Sequence, residues 1–339
     1  MELTFSQIET CTSGAVRVAQ EKDGIHFYRF TQEQEALYKA RKEDFYNKTF
    51  YASGIQLRFQ TDSRSLFIKV DLSYINSRSY FALEIFKDNK RIDTIQNFNE
   101  ADGRKSYIGV KLPMGNYEKQ VDLGDGTKEI RILFPWSGKT VLQALALEDG
   151  ASFSPVKFSK KLLCFGDSIT QGYDALYPSN KYATRLAEYL KAEEHNKAIG
   201  GEIFFPALAS TKEDFTPDLI TVAYGTNDWR CVTREQFRQN CEGFFSNLCQ
   251  TYPNTKILAI APIWRKDTDE ETDFDAFTDV EIEIKQIVKA YPQITMVSGY
   301  DFIPKDPEYF ADLRLHPNDR GFDFYFENLI KAIDFSALI

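Results

Sequence analysis

The sequence predicts two domains: an all-β sandwich of jelly-roll type over residues 1–155, then an α/β domain on a parallel sheet over residues 156–339. Three observations carry this reading. A chain of 339 residues is longer than one hydrophobic core usually organises. Up to about residue 150, apolar and polar side chains alternate with period two, as in half-buried antiparallel strands. From Lys161 onward, short continuous apolar runs alternate with helical stripes, the pattern of a parallel sheet and its crossover helices.

In the first part, Ile55, Leu57 and Phe59 form one alternating set, and Leu66, Ile68, Val70 and Leu72 a second. Phe81, Leu83 and Ile85 form a third, and Ile130, Ile132 and Phe134 a fourth. Turn chemistry separates them at Thr61-Asp-Ser63, Lys87-Asp-Asn-Lys90 and Gly124-Asp-Gly126. One helix is expected there, over Gln32–Lys39. In the second part, Leu162–Phe165, Leu219–Ala223, Ile257–Ile260 and Ile294–Val297 read as buried strands. Thr233-x-x-Gln236 is a capping box, and Phe237, Cys241, Phe244 and Leu248 follow on one helical face. Phe277, Val280, Ile284, Ile287 and Tyr291 make a second stripe, and a last helix runs from Phe322 to Ile333. The change of period places the boundary in the turn-rich segment Asp149–Ser159.

Composition narrows the function. A net charge of -9 argues against nucleic acid and anionic membranes, whose charge requires a basic surface. No apolar run reaches membrane-spanning length. The N-terminus shows no basic and apolar leader pattern, and the five cysteines (Cys11, Cys164, Cys231, Cys241, Cys249) lack metal spacing. Together these suggest a cytoplasmic protein with reduced thiols. The acidic run Asp267-Thr-Asp-Glu-Glu-Thr-Asp273 lacks the glycine of a calcium loop and reads as a solvated approach to a helix.

The chemistry concentrates in three patches. Lys161-Leu-Leu-Cys-Phe-Gly-Asp-Ser168 ends a buried strand in a small reactive side chain, at the carboxyl edge where α/β sheets bind ligands. Tyr224-Gly-Thr-Asn-Asp228 and Leu315-His-Pro-Asn318 lie downstream. Only His26, His195 and His316 exist, so a histidine base must be one of them. His26 lies in a predicted strand and His195 in a polar helix-end segment. His316 precedes Pro317 at a helix start, where α/β enzymes often place a base. Taken singly, each patch also reads as an ordinary cap or turn.

Gly166-Asp-Ser168, Gly201, Gly225-x-Asn227 and His316, in that order, resemble the four blocks of the SGNH (GDSL-type) serine hydrolases. The likeness spans roughly residues 160 to 335, and the β-sandwich before it is similar to that of some bacterial carbohydrate esterases. The resemblance implies a flavodoxin-like, three-layer α/β/α fold without metal or organic cofactor. It makes Ser168 the nucleophile and His316 its base. The N–H groups of Ser168 and Gly201 and the side-chain amide of Asn227 would form the oxyanion hole.

One position departs from the family pattern. The acid that orients the histidine usually lies three residues before it, where this chain has Leu313; Asp312 lies four before. Either a one-residue bulge brings Asp312 to the ring, or a backbone carbonyl orients His316 in a Ser–His dyad. Trp229, Trp264 and Arg265 are candidate substrate contacts, with loop packing as the alternative. The expected substrate is a small-molecule ester, an acetylated sugar or related alcohol. Rival readings are a lysophospholipase or thioesterase, and a carbohydrate-binding protein whose hydrolase site has lapsed. The oligomeric state is not encoded in any recognisable pattern.

Overall fold

Residues 1–73, 78–104 and 106–339 are described by a computed structural model. Chain order in the first part is α1 (Phe5–Cys11), β1 (Thr12–Ser13), β2 (Arg17–Glu21), β3 (Gly24–Tyr28), α2 (Gln32–Arg41) and α3 (Glu43–Lys48). It continues through β4 (Gln56–Thr61), β5 (Ser65–Ser73), β6 (Ala82–Lys87), β7 (Lys90–Gln96), β8 (Gly115–Asp122), β9 (Lys128–Leu133), β10 (Lys139–Leu147) and β11 (Ser154–Pro155). The strands form two antiparallel sheets, β1-β4-β9-β6-β7 with β11 added on β4, and β2-β3-β10-β5-β8. Every residue of the four alternating sets is buried, and one apolar cluster takes side chains from both sheets. This is how two half-apolar sheets satisfy their inner faces. The Lys87–Lys90 turn closes β6 onto β7 with Asp88 and Asn89 both at positive φ, which Asp and Asn tolerate best among residues with a Cβ.

The first part holds more helix than the single one expected. Thr4 and Gln7 close a capping box on α1, and Thr31 and Gln34 close another on α2. Helix α3 follows α2 almost directly. These helices do not all pack on the sandwich. Phe30, Tyr38 and Phe45 belong to the core of the parallel sheet, so the N-terminal segment supplies part of the second domain's helical layer.

The second part runs β12 (Lys160–Gly166), α4 (Ser168–Gln171), α5 (Tyr182–Leu190), β13 (Ala192–Asn196), α6 (Pro206–Ala209), β14 (Leu219–Ala223) and α7 (Asp228–Cys231). Then come α8 (Arg234–Thr251), β15 (Lys256–Ile260), α9 (Phe277–Val288), β16 (Ile294–Val297) and α10 (Asp319–Ala332). The sheet order is β13-β12-β14-β15-β16, all parallel, which is the flavodoxin-like order. Strand pleating divides the side chains of β12 between two cores. Leu163 and Phe165 face α8 and α9, while Leu162 and Cys164 face α5 and α10. Three layers result.

Two local expectations are corrected. His195 lies in edge strand β13, paired with Leu163 of β12, not at a helix end. The segment Ala192-Glu-Glu-His-Asn196 looks too polar for a buried strand. It is buried because Glu194 accepts hydrogen bonds from Lys181, Thr184 and Asn196. Nor is Asp267 solvated: its carboxylate receives Arg265, Arg230 and Arg314. The five cysteines form no disulfide. Among the described residues, no helix is long and apolar enough to cross a membrane.

Candidate active site

In this strand order the sheet switches direction between β12 and β14, and the connections leaving their carboxyl ends diverge to open a crevice. Ser168 follows β12, Gly201 follows β13 and Asn227 follows β14, so topology alone brings three of the four blocks to one edge. Gly166 lets the chain turn there. A Cβ on it would meet the Thr170 hydroxyl at 2.2 Å and the Ala223 carbonyl at 3.0 Å. Asp167 caps α4 by accepting the Ile169 N–H at 2.9 Å, which leaves Ser168 as the first helical residue.

His316 arrives from the other side of the sheet, on the loop before α10. Its Nε2 stands 2.9 Å from Ser168 Oγ, and its Nδ1 stands 2.8 Å from Asp312 Oδ2. The bulge reading of the departure is the one the geometry follows. Leu313 adopts φ 57, a left-handed conformation that takes up the extra residue, and its side chain points to solvent. Asp312 Oδ1 accepts the N–H groups of Arg314, Leu315 and His316, which closes the loop around the carboxylate. Burial pushes the Asp312 carboxyl upward, but the bond and charge of His316 and these backbone donors outweigh it. The net shift is well below the ordinary carboxylate range.

Gly201 sits at φ 88, a conformation suited to glycine, on a strap fixed from both sides. The Gly200 N–H donates to Gln171 Oε1 at 2.8 Å, and the Gly200 carbonyl accepts from Lys48 Nζ at 2.7 Å. Asn227 donates one side-chain N–H to the Glu202 carbonyl at 2.9 Å, which orients the amide and leaves its second N–H for a ligand. Among the described residues, the N–H groups of Ser168 and Gly201 have no protein acceptor.

Of the three candidate substrate contacts, the structure removes two. Trp229 is fully buried, donates its indole N–H to the Asp275 carbonyl at 3.0 Å and packs edge-on against Phe277. It has no free face for a sugar. Arg265 is 1% exposed; it is paired with Asp267 and donates to the Thr226 carbonyl at 2.8 Å. It braces the Gly225–Asn227 turn from behind and reaches no solvent. Trp264 is half-buried against Phe310 and remains available.

Further groups at the site had no signal in the sequence. Tyr173 lies tilted against the His316 ring, centroids 5.7 Å apart, and Trp136 of the first domain packs on Tyr173 at 4.8 Å. Asp174 places a second carboxylate oxygen 3.6 Å from His316 Nδ1. Beneath the site, burial pushes the Asp167 carboxyl up to about 6, against the Ile169 N–H. Burial likewise pushes Asp228 up to about 8, against the Phe204 N–H.

A serine–histidine–aspartate relay at the switch point of a doubly wound sheet defines a serine hydrolase class. Residues 164–324 match the model of the GDSL-like Lipase/Acylhydrolase family, and an antiparallel β domain precedes them in the chain. Three solved structures share the fold. A salicylyl-acyltransferase of a tetracycline biosynthetic pathway has TM-score 0.78 at 19% identity, over 96% of this chain and 94% of that one. A protein described as a GDSL-like lipase from Bacteroides ovatus has TM-score 0.75 at 18% identity, over 100% and 97%. A family two carbohydrate esterase from Clostridium thermocellum, solved with cellohexaose, has TM-score 0.60 at 14% identity, over 82% and 91%. No curated protein sequence matches the chain.

Proposed function

We propose that the protein is a serine esterase that removes a small acyl group, acetyl foremost, from a carbohydrate or related alcohol. The continuous path Ser168 Oγ–His316–Asp312 is the observation that carries this reading. His316 takes the Ser168 proton as Oγ attacks the ester carbonyl, and the imidazolium formed faces the Asp312 carboxylate. The oxyanion is received by the N–H groups of Ser168 and Gly201 and by the Asn227 amide. His316 then returns the proton to the leaving alkoxide, and water deprotonated by the same ring releases the acid from acyl-Ser168.

A polar alcohol suits the surroundings better than a lipid. A groove of about 490 Å³ between the domains is lined by Glu84, Arg91, Glu100, Tyr177, Asn180 and Asp319. Tyr177 and Asp319 belong to the segments that carry Tyr173 and His316. The groove offers hydroxyl groups many partners and an acyl chain few. A second reading, acyl transfer to an alcohol, is favoured by the similarity of both domains to a named acyltransferase. It differs only in what attacks the acyl-serine.

Hydrolysis of short- and long-chain chromogenic esters by wild type and Ser168→Ala tests the proposal. Turnover of acetyl esters that vanishes in Ser168→Ala is expected. Equal turnover by the two proteins would overturn the reading, and faster cleavage of long-chain esters would overturn the small-acyl assignment. Product partition with added alcohol separates transfer from hydrolysis.

A further inference from the structure

We infer that Asp174 is a second carboxylate of the His316 relay, a positioning residue that the β domain holds in place through Arg78 and Tyr80. The inference rests on the esterase reading for its catalytic meaning, although its geometry stands independently.

Asp174 is fully buried, two residues after the glycine that ends α4. It adopts φ 71, in the left-handed region that a residue with a Cβ occupies at a cost. Three donors from the first domain converge on its two oxygens. Arg78 Nε reaches Oδ1 at 2.6 Å, Arg78 Nη2 reaches Oδ2 at 2.8 Å, and the Tyr80 hydroxyl reaches Oδ1 at 2.6 Å. This bidentate fork fixes the carboxylate plane. Burial and the neighbouring Asp174 hold the Tyr80 hydroxyl well above its ordinary range, so it stays a donor.

The oxygen that receives Arg78 Nη2 is also the one 3.6 Å from His316 Nδ1. Asp312 makes the short bond to that nitrogen, and Asp174, on the segment after α4, approaches it at 3.6 Å. The groups facing the ring are therefore Asp312 on its own loop, Tyr173 and Asp174 after α4, and Ser168 with Asp167 at the end of β12. Arg78 stands behind Asp174 and offsets part of its field. The imidazolium formed in catalysis thus meets two carboxylates, one of them placed by the β domain. A correctly seated β domain is then a condition for a complete relay.

The test follows the His316 ring by NMR titration in a Ser168→Ala background. Asp174→Asn is compared with the parent and with Arg78→Met/Asp174→Asn. The paired variant leaves no unmatched buried guanidinium, so it serves where the single variant fails to fold. Removal of Asp174 is expected to move the ring's titration down by about one pH unit, and the paired variant moves it less, in the same direction. With Ser168 intact, kcat for an acetyl ester falls roughly tenfold at unchanged KM. The acid limb of kcat/KM moves to lower pH with it. Ring titrations that coincide with the parent in both variants would overturn the inference, as would a loss of kcat with an unmoved pH profile. Ester turnover surviving Ser168→Ala would instead defeat the esterase reading, and the ring titration would still decide the role of Asp174.

Discussion

At the scale of residues, the departure at the proposed triad acid shows how one torsion substitutes for a spacing. An aspartate four positions before the histidine reaches Nδ1 because Leu313 turns left-handed and points outward. The spacing left a bulge and a backbone carbonyl equally open, because a backbone torsion at one leucine is not encoded by residue type. Asn227 is the clearest single-residue test of the proposed oxyanion hole. Asn227→Ala is expected to lower kcat by about two to three orders of magnitude with KM nearly unchanged, measured by steady-state kinetics on an acetyl ester. Asp228 gives a pH test. The folded protein keeps its proton up to about pH 8, whereas an unfolded aspartate loses it near pH ~4. The folded state therefore binds more protons across that window, and stability from this group falls as pH rises through it. Asp167 acts with the same sign but only up to about 6. Between pH 6 and 8, Tm of Asp228→Asn should fall less steeply than that of wild type. Parallel slopes would refute the assignment.

At the scale of elements, period and caps were legible. Four alternating sets became buried strand faces, and Thr233-x-x-Gln236 became the observed capping box of α8. Loss of that cap in Thr233→Ala should cost about 1 kcal/mol by denaturant melt and leave kcat unaltered, since α8 packs on the far side of the sheet from His316. The capping box Thr4-x-x-Gln7 has the same form, but the seven-residue helix it opens carries too little periodicity to be legible. Strand β13 is illegible for a different reason. Its Glu194 is compatible with burial only because Lys181 and Thr184, at the start of α5, neutralise and bond it. Those partners lie 13 and 10 residues before Glu194, but it is the packing of α5 on β13 that brings them to it.

At the scale of the molecule, the two parts are joined by buried polar groups as well as by apolar contact. Arg29 is fully buried and, among the described residues, has no carboxylate bonded to it; it donates to the carbonyls of Lys48, Tyr51, Asn196 and Ala198. Burial brings its guanidinium down to about 10, so it remains charged at neutral pH. Arg29→Met would strip the guanidinium donors from four buried carbonyls, of which that of Lys48 keeps the Tyr51 N–H, at a cost upwards of about 3 kcal/mol. Chemical denaturation should show this as a lowered midpoint. A midpoint within error of wild type would mean that the carbonyls find other partners. With Phe30, Tyr38 and Phe45 in the parallel-sheet core, the same segment ties the N-terminal helices to the strap that carries Gly201.

The sequence by itself determined the class of each sheet, the order of the family blocks and the candidate nucleophile and base, because these follow from side-chain period and from motifs a few residues long. Only the tertiary structure decided the rest. It turned Leu313 outward so that Asp312 meets His316, buried Trp229 and Arg265 as supports, and set Arg78 against Asp174 across 96 residues of chain. Each of these depends on a partner distant in sequence or on a torsion set by packing. Neither leaves a trace in local composition.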